Sequence, residues 1–343
     1  MKFQKLLIVL IAAQLLSANL WAQEKTESKA PNFNIWLGGL YSYNATEGIV
    51  PSSNYTIAFA RIIAKGNIMN NIDYHIMGDV AGFADAASGL ATRRSILMQA
   101  WVSYKPSTYA QFRVGQFKYP FGIEAYPGLI VWKFIIPSYA TLGITKKLGT
   151  EGGMFRDIGA QVEGIVSASK DISFFYKAMV MNGNGPNLID NNNEKDYVGN
   201  LGVNLPYNIT VAGSYFTGKA YDANADGINE SAFSGNISLK NKRFTFQAEY
   251  LSATNEFINK SVKPNGYYVY GTYKILDELE AGVRYDAYDK DSEVENNSIS
   301  RITLQSGYYF SKLNRIMLNY EIINDDAAPN KGNLLNLLFQ VVL

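Results

Sequence analysis

The stretch LEAGVRYDAYD, residues 279–289, alternates apolar and polar side chains with a period of two. The first set of alternate positions is apolar: Leu279, Ala281, Val283, Tyr285 and Ala287. The intervening positions include Glu280, Arg284, Asp286 and Tyr288. Successive side chains of a β-strand point to opposite faces, so this pattern is typical of a strand with one apolar side and one wet side. The same alternation recurs along the chain and predicts an all-β protein.

Period-two alternation divides the chain into sixteen predicted strands. They cover residues 33–44, 53–65, 68–82, 93–105, 108–118, 153–167, 171–182, 196–205, 208–219, 229–240, 242–254, 266–276, 278–289, 298–311, 314–324 and 332–343. Many are longer than the roughly 9 to 11 residues that a tilted strand needs to cross a bilayer. The composition agrees, because 24 Tyr, 18 Phe and 29 Gly suit alternating strands and tight turns.

Short and long connections alternate between these predicted strands. The connections after even-numbered strands are brief and include residues 105–107, 169–171, 206–207 and 276–277. The connections after odd-numbered strands are longer and include 119–152, 183–195, 220–228, 255–265 and 290–297. Strands of a soluble sandwich also alternate, but its loops show no such parity. An even strand count with short turns at one end therefore predicts a transmembrane antiparallel β-barrel of about 16 strands in the bacterial outer membrane.

The N-terminus has the layout of a secretory signal peptide. Lys2 and Lys5 precede an apolar run at residues 6–16, and Ala22 supplies a small residue at which cleavage is expected. The run is shorter than the ~20 residues of a spanning helix. An uncleaved anchor helix is the alternative, and polar residues near the end of the run disfavour it. The predicted division is a signal peptide at 1–22, a polar spacer at 23–32 and the barrel at 33–343.

Composition and charge exclude several classes of protein. The chain has no cysteine, which excludes disulfides and thiolate metal sites. Without Lys2 and Lys5, the 31 basic residues fall to 29, against 30 acidic residues. A nearly neutral chain does not predict a nucleic-acid partner. The sequence gives no reason to expect a cofactor or a metal site, apart from one weak calcium motif described below.

The stretch RVGQFKYPFGIE, residues 113–124, begins as a strand and then breaks off at Pro120 and Gly122. The stretch GLIVWKFIIPSYATLGITKKLG follows at residues 128–149. It is too apolar for external water and too interrupted by proline and glycine for another strand. Such a segment needs a wall to pack against, and a barrel of about 16 strands has an interior wide enough to receive it.

The same stretch resembles the strand-to-loop motif of the phosphate-selective porin O and P family. Further phrases of that family follow in order: FRDIGAQVEG (155–164), MNGNGPN with KDYVGNLGVN (181–204), FQAEYL (246–251), GYYVYGTYKI (266–275), AGVRYDAYD (281–289) and the closing FQVVL. The resemblance implies a 16-stranded barrel that forms a homotrimer, with its third long loop folded into the lumen to narrow the pore. That constriction loop corresponds to residues 119–152. The resemblance also implies an outer-membrane porin for passive diffusion of small hydrophilic solutes.

Basic residues dominate the loop region between residues 113 and 150. The region has one acidic residue, Glu124, and five basic residues: Arg113, Lys118, Lys133, Lys146 and Lys147. Lining a narrow constriction, they would attract anions, because like-charged side chains set the selectivity of such pores. Alternatively, these lysines are solvated or face lipopolysaccharide.

The remaining predicted lumen charges are mixed in sign. The basic members are Arg61, Lys177, Arg284 and Arg301. The acidic members are Asp157, Glu163, Glu249, Glu280, Asp286 and Glu321. This balance predicts only a weak to moderate anion preference, with phosphate as one candidate solute. The other expected partners are outer-membrane lipid and lipopolysaccharide.

Two other functions use different features of the sequence. A surface adhesin would use exposed loops such as 183–195, although these are short for that purpose. An outer-membrane hydrolase would depend on His75, the single histidine. A nucleophilic triad needs a serine beside the histidine base, and nothing in the sequence fixes such a serine. A pore-lining or packed histidine is the simpler interpretation.

A calcium loop is the only metal motif suggested by the sequence. Residues 222–227 begin like such a loop, with Asp222, Asn224 and Asp226 followed by a glycine. The twelfth position holds Phe233 in place of an acidic residue, although Glu230 lies close by. A simple turn rich in Asp, Asn and Gly is the favoured interpretation of the stretch, so no metal site is assigned.

Overall fold

The computed structural model describes residues 30–81, 97–147, 155–190, 192–221, 227–256, 261–328 and 331–343. The strands in these ranges are β1 (Asn32–Asn44), β2 (Ser52–Met69), β3 (Ile72–Asp79), β4 (Leu97–Tyr104), β5 (Gln111–Lys118), β6 (Arg156–Ser167), β7 (Ser173–Met181), β8 (Asp196–Leu205), β9 (Ile209–Tyr221), β10 (Gly227–Lys240), β11 (Phe244–Glu256), β12 (Ser261–Val262), β13 (Asn265–Lys274), β14 (Leu279–Asp289), β15 (Ser298–Tyr309), β16 (Arg315–Asp325) and β17 (Gly332–Val342). Their helices are α1 (Tyr139–Lys147) and two short 3-10 turns at Leu129–Val131 and Pro206–Asn208.

The strands form one closed antiparallel sheet. Sequence neighbours pair with each other, and β1 also pairs with β17, with Trp36 opposite Val342. The two-residue strand β12 pairs with the end of β11, while β11 pairs directly with β13. Sixteen long strands therefore build the wall, which confirms the predicted barrel.

Side chains on this wall are distributed in the opposite way to those of a soluble protein. Val283 and Leu201 point outwards with 49% and 69% of their surface exposed. Arg284, Asp286 and Glu321 point inwards and are fully buried. An apolar outer belt around a polar interior is the arrangement of a membrane-spanning barrel. Among the described residues, no helix is long and apolar enough to cross a membrane.

A β-bulge explains why the alternation of β2 is hard to read. Gly38 of β1 pairs with Phe59, but the next residue of β1 pairs with Ile57, which leaves Ala58 as an extra residue. The extra residue reverses the facing of the strand. Ile57 is therefore 58% exposed on the outside, whereas Phe59 is 1% exposed on the inside, although both positions are odd-numbered.

The largest boundary difference lies at the turn between β2 and β3. The sequence predicts that turn at residues 66–67, but β2 continues to Met69 and β3 begins at Ile72. Gly66 lies inside the ladder opposite Tyr74, and the Tyr74 hydroxyl would be 2.9 Å from a Cβ added at Gly66. This glycine accommodates a cross-strand aromatic ring, and the chain turns at the following pair of asparagines, which tolerate turn conformations.

Candidate pore constriction

The segment at residues 119–147 runs from β5 across the interior to the opposite wall. The Ile123 N–H donates to Glu249 Oε1 on β11 at 2.9 Å. The Tyr139 N–H donates to Asp286 Oδ1 on β14 at 2.8 Å. Both acceptors are inward-facing side chains of strands far from β5 in the ring. The segment therefore lies inside the barrel.

Five charged residues, here called the anchoring cluster, fix the segment to the wall. They are Glu124 of the segment and Arg284, Asp286, Arg301 and Glu321 of the wall. Arg284 reaches Asp286 at 3.0 Å and Glu124 at 3.3 Å. Arg301 reaches Asp286 at 3.1 Å and Glu321 at 2.8 Å. Every cation of the cluster has a carboxylate partner, as buried charges require.

The two arginines of the anchoring cluster also hold the backbone of the segment. Arg284 Nη1 donates to the carbonyl oxygen of Ile136 at 2.9 Å, and Arg301 Nη2 donates to that of Pro137 at 2.6 Å. Pro137 interrupts regular structure, and the guanidinium groups bind the carbonyls that remain free there. These arginines therefore hold the segment in place against the wall.

Helix α1 begins next to this cluster. Ser138 caps the helix, because its Oγ accepts the Thr141 N–H at 3.1 Å and donates to Glu124 at 2.8 Å. Asp286 lies at the same helix end, where a carboxylate is favourable. Burial is the largest influence on the Tyr139 hydroxyl and raises its pKa above the usual value, so the phenol is neutral at physiological pH.

Gly122 allows the segment to approach the wall closely. Its φ is +72°, and an added Cβ would lie 2.8 Å from Glu249 Oε1. Its N–H donates to Ser214 Oγ at 3.2 Å, and Glu249 also accepts from Ser234 at 2.5 Å. A side chain at this position would meet both steric and conformational resistance.

Apolar side chains complete the packing of the segment. Phe121, Phe134 and Ile144 are buried in one cluster with side chains of β7 to β14, among them Phe216 and Leu251. The apolar residues that suggested an internal loop therefore pack against the barrel wall. Residues 148–152 of the predicted loop lie outside the described residues, as do the side chains of Lys146 and Lys147.

On the other side of the segment, towards β1–β6, lies a cavity of about 240 Å³, here called the basic cavity. Four cationic side chains line it: Arg61, Arg113, Lys118 and Arg156. Its described lining includes no carboxylate. The site therefore combines a concave shape with an excess of positive charge, which suits a small anion.

The cations of the basic cavity have different partners. Arg61 pairs with Asp79 at 3.0 Å, and Arg113 pairs with Glu163 at 3.0 Å. Lys118 Nζ donates to two backbone carbonyls of the segment, at 2.7 and 2.6 Å. These carbonyls hold the Lys118 amino group between β5 and the segment, on the wall of the basic cavity.

Aromatic rings pack against the cations of the basic cavity. The Arg113 guanidinium lies 4.6 Å from the centre of the Trp101 ring, and His75 stacks on Trp101 at 5.3 Å. The single histidine thus lines the basic cavity, as the pore-lining interpretation expected. No serine lies among the described residues of this cavity, so the hydrolase hypothesis gains no nucleophile here.

The predicted site residues lie in three places. Arg61, Arg113 and Lys118 line the basic cavity. Lys133 is on the opposite side of the segment and pairs with Glu280 at 2.5 Å. Lys177 Nζ lies 3.8 Å from the centre of the Tyr126 ring. Apart from Asp157, each of the other predicted lumen residues that face inwards takes part in a hydrogen bond or ion pair described above. They are Glu163, Glu249, Glu280, Asp286, Arg284, Arg301 and Glu321.

Arg156 was not among the candidates from the sequence, although it lines the basic cavity. It pairs in register with Lys118, because β5 and β6 are antiparallel and the segment joins their ends. The sequence could have identified Arg156, because in an antiparallel pair the first residue after the connecting loop lies beside the last residue before it. Its neighbour Asp157, predicted in the lumen, accepts the N–H groups of Gly183 and Gly185 at 3.0 and 3.1 Å and so holds the β7–β8 loop.

The calcium motif falls mostly at residues 222–226, outside the described residues. Glu230 lies within β10, where it is buried. Among the described residues, no group of three or more acidic, histidine or cysteine side chains is arranged to hold a metal ion.

Comparison with protein families gives one match over most of the chain. The sequence model of the family described as phosphate-selective porin O and P matches residues 38–336. No curated protein matches the chain significantly in sequence.

Solved structures of porins share the fold at low sequence identity. An anion-selective porin from Comamonas acidovorans has a TM-score of 0.69 and 11% identity, over 92% of this chain and 100% of that one. The trimer form of OmpT, an outer-membrane protein of Vibrio cholerae, has a TM-score of 0.61 and 12% identity, over 91% and 100%. The outer-membrane channel DcaP of Acinetobacter baumannii has a TM-score of 0.60 and 13% identity, over 94% and 99%.

Proposed function

Because this chain belongs to the phosphate-selective porin O and P family, we propose that it admits small anions in preference to cations, with phosphate among the anions. As a member of this family the protein is a porin of the outer membrane, and its family and fold are those of a channel rather than of an enzyme. The observation that carries the proposal is the basic cavity, with four cationic side chains beside the segment that crosses the lumen.

The position of the segment directs permeating ions towards the basic cavity. The side of the segment that faces β9–β15 is joined to the wall by the anchoring cluster and by apolar packing. The side that faces β1–β6 borders the cavity. We therefore assign to residues 119–152 the role of a constriction that narrows the pore, with the ion path on the β1–β6 side.

The expected preference is weak to moderate. Low-dielectric walls focus the field of the four cations on a passing ion. Ion pairs with Asp79 and Glu163 reduce that field, because each carboxylate lies 3.0 Å from its arginine. The anchoring cluster adds little, since its two arginines, Arg284 and Arg301, are matched by carboxylates.

Reversal potentials in planar bilayers test the proposal. With refolded protein under a tenfold KCl gradient, we expect the sign that corresponds to chloride permeating faster than potassium. Added phosphate should reduce the chloride current in a saturable way, because a multivalent anion occupies a basic site longer. A cation-selective reversal potential would disprove the proposal.

Export and assembly complete the proposed function. We propose that residues 1–22 direct export and are removed, that residues 23–32 form a polar spacer, and that the barrel at 33–343 assembles as a homotrimer within outer-membrane lipid and lipopolysaccharide. A trimer form is known for OmpT, which shares this fold. N-terminal sequencing of the mature protein and its mass in detergent would test cleavage and assembly separately.

A further inference from the structure

A second cavity lies next to the basic cavity, and it has a different chemistry. Its volume is about 500 Å³, and it is bounded by the segment and by β5–β10. We call it the amide chamber, because uncharged polar side chains dominate its wall: Asn200, Asn204, Asn236, Thr210 and Ser238. The charged residues of its described lining are Glu163, which already pairs with Arg113, and Lys177.

The amide chamber retains hydrogen-bonding capacity. Asn200 uses its amide nitrogen for Ser214 Oγ at 2.8 Å, which leaves its oxygen as an acceptor. Asn236 is 8% exposed, and its Oδ1 has no hydrogen-bond partner among the described residues. A wall with amide and hydroxyl groups but little net charge suits a neutral, hydroxyl-rich group more than an ion.

Apolar surface lies between these polar groups. Phe175, Ile123 and Pro127 line the same chamber. Carbon–hydrogen faces of a polyol or a sugar ring can pack on such surface while the hydroxyl groups bind amides. A bare inorganic anion has no carbon–hydrogen face to pack on this apolar surface.

The two cavities meet at the segment. Tyr126 lines both of them, and the Arg113–Glu163 pair joins a residue of the basic cavity to a residue of the amide chamber at 3.0 Å. Lys177 Nζ lies 3.8 Å from the Tyr126 ring centre and places a cation at the junction. One molecule could therefore contact both cavities at once.

The amide chamber also continues towards the short-turn end of the barrel. Asn204, Thr210 and Ser238 line both the chamber and a cavity of about 580 Å³ at the turns around residues 167–173 and 205–210. A solute that passes the basic cavity thus meets amide and hydroxyl groups before it leaves the barrel. The order of the two chemistries along this path is fixed by the fold.

We propose that the preferred solutes of this channel are phosphate monoesters of polyols or sugars, bound with the phosphate in the basic cavity and the hydroxylated carbon skeleton in the amide chamber. This proposal rests on the proposed anion preference and names the solute class that would use both cavities. Arg113, Lys118 and Arg156 supply the charge for the phosphate, and Asn200, Asn236 and Ser238 supply hydrogen bonds for the hydroxyl groups.

Block of the chloride current by four probes tests the proposal. The probes are inorganic phosphate, glycerol 3-phosphate, glucose 6-phosphate and glucose, each added to refolded channels in a planar bilayer. We expect glucose 6-phosphate to block at a concentration about three- to tenfold lower than inorganic phosphate, the effect of about one net hydrogen bond. Glycerol 3-phosphate should lie between the two, and glucose should block weakly.

Variants of the amide chamber separate the two parts of the site. The double variant Asn236→Ala with Ser238→Ala should abolish the advantage of glucose 6-phosphate and leave block by inorganic phosphate unchanged. Asn200→Ala should act in the same direction. The matched control is Asn67→Ala, an exposed asparagine of β2 outside both cavities, and it should behave as the unaltered protein. Heat-modifiable migration of each variant on a gel confirms that the barrel has folded.

The outcomes distinguish this proposal from the one on which it rests. If glucose 6-phosphate blocks no better than inorganic phosphate, or if its advantage survives both chamber variants, the monoester proposal is overturned while the anion preference stands. If chloride and potassium permeate equally and inorganic phosphate does not block, the proposed anion preference itself fails.

Discussion

Two regions of the lumen use arginine in opposite ways. In the anchoring cluster, Arg284 and Arg301 bind carboxylates and also backbone carbonyls of the segment. In the basic cavity, Arg61 pairs with Asp79, Arg113 pairs with Glu163, and Lys118 donates to two backbone carbonyls of the segment. Pairing, more than the number of charges, is what distinguishes the anchoring cluster, which holds the segment, from the basic cavity, which is the proposed anion site.

The two regions also depend on each other. The anchoring cluster holds one side of the segment against β14 and β15. The other side of the segment then forms part of the basic cavity, through Tyr126 and Gly128. If the anchors fail, the cavity loses a wall and the lumen widens. Four predictions test this relationship, in order of expected effect.

The largest effect should follow Asp286→Ala, which leaves Arg284 and Arg301 without their shared carboxylate. Removal of one partner from a buried ion-pair network costs about 3–5 kcal/mol. We expect the urea midpoint of the refolded barrel to fall and single-channel conductance to rise as the segment detaches. Asp326→Ala, at an exposed position in the loop after β16, is the control and should change neither quantity. Unchanged conductance in Asp286→Ala would show that the anchoring cluster does not hold the segment in the position that narrows the pore.

A smaller effect should follow Gly122→Ala. The φ of +72° costs an alanine about 1–2 kcal/mol, and its Cβ would crowd Glu249. We expect a modest loss of stability and noisier open-channel current, because the segment then sits less firmly on the wall. Gly39→Ala in β1 is the matched control, since a Cβ there meets no atom within 4 Å. If the two variants have the same stability and the same current noise, Gly122 does not approach Glu249 closely.

Arg156→Gln should change selectivity with little effect on conductance. The removal of one cation from the basic cavity weakens the attraction of an anion by about 1 kcal/mol, or roughly fivefold in the chloride-to-potassium permeability ratio. Reversal potentials measure this ratio. Arg243→Gln, at an exposed turn between β10 and β11, is the control and should leave the ratio unchanged. A drop of similar size in both variants would point to a general surface charge effect.

The smallest effect should come from salt. Between 0.1 M and 1 M KCl the Debye length falls from about 10 Å to about 3 Å, so the field of the basic cavity is screened. We expect the anion preference to weaken about twofold over this range. Direct ion pairs of the anchoring cluster are buried and are screened much less, so the urea midpoint should stay nearly constant. If the anion preference does not change with KCl concentration, it would have to come from the size of the pore and not from the charges of the basic cavity.

Sequence reasoning recovered the barrel. The strands β8 and β14 were predicted within one residue, because their alternation is uninterrupted. The early strands were harder to read, since a bulge at Ala58 reverses the facing of β2. Lys133 shows a similar limit: its charge was visible, but its pairing with Glu280 was not, because the two residues lie 147 positions apart.

The sequence by itself determined the sheet, the end at which the short turns lie and the segment that cannot remain in water, because side-chain periodicity and apolar content act locally along the chain. Only the tertiary structure decided which cations are paired with carboxylates and where the basic cavity meets the amide chamber. Electrostatic pairing and cavity shape depend on distances between residues remote in sequence, and these distances exist only after the ring has closed.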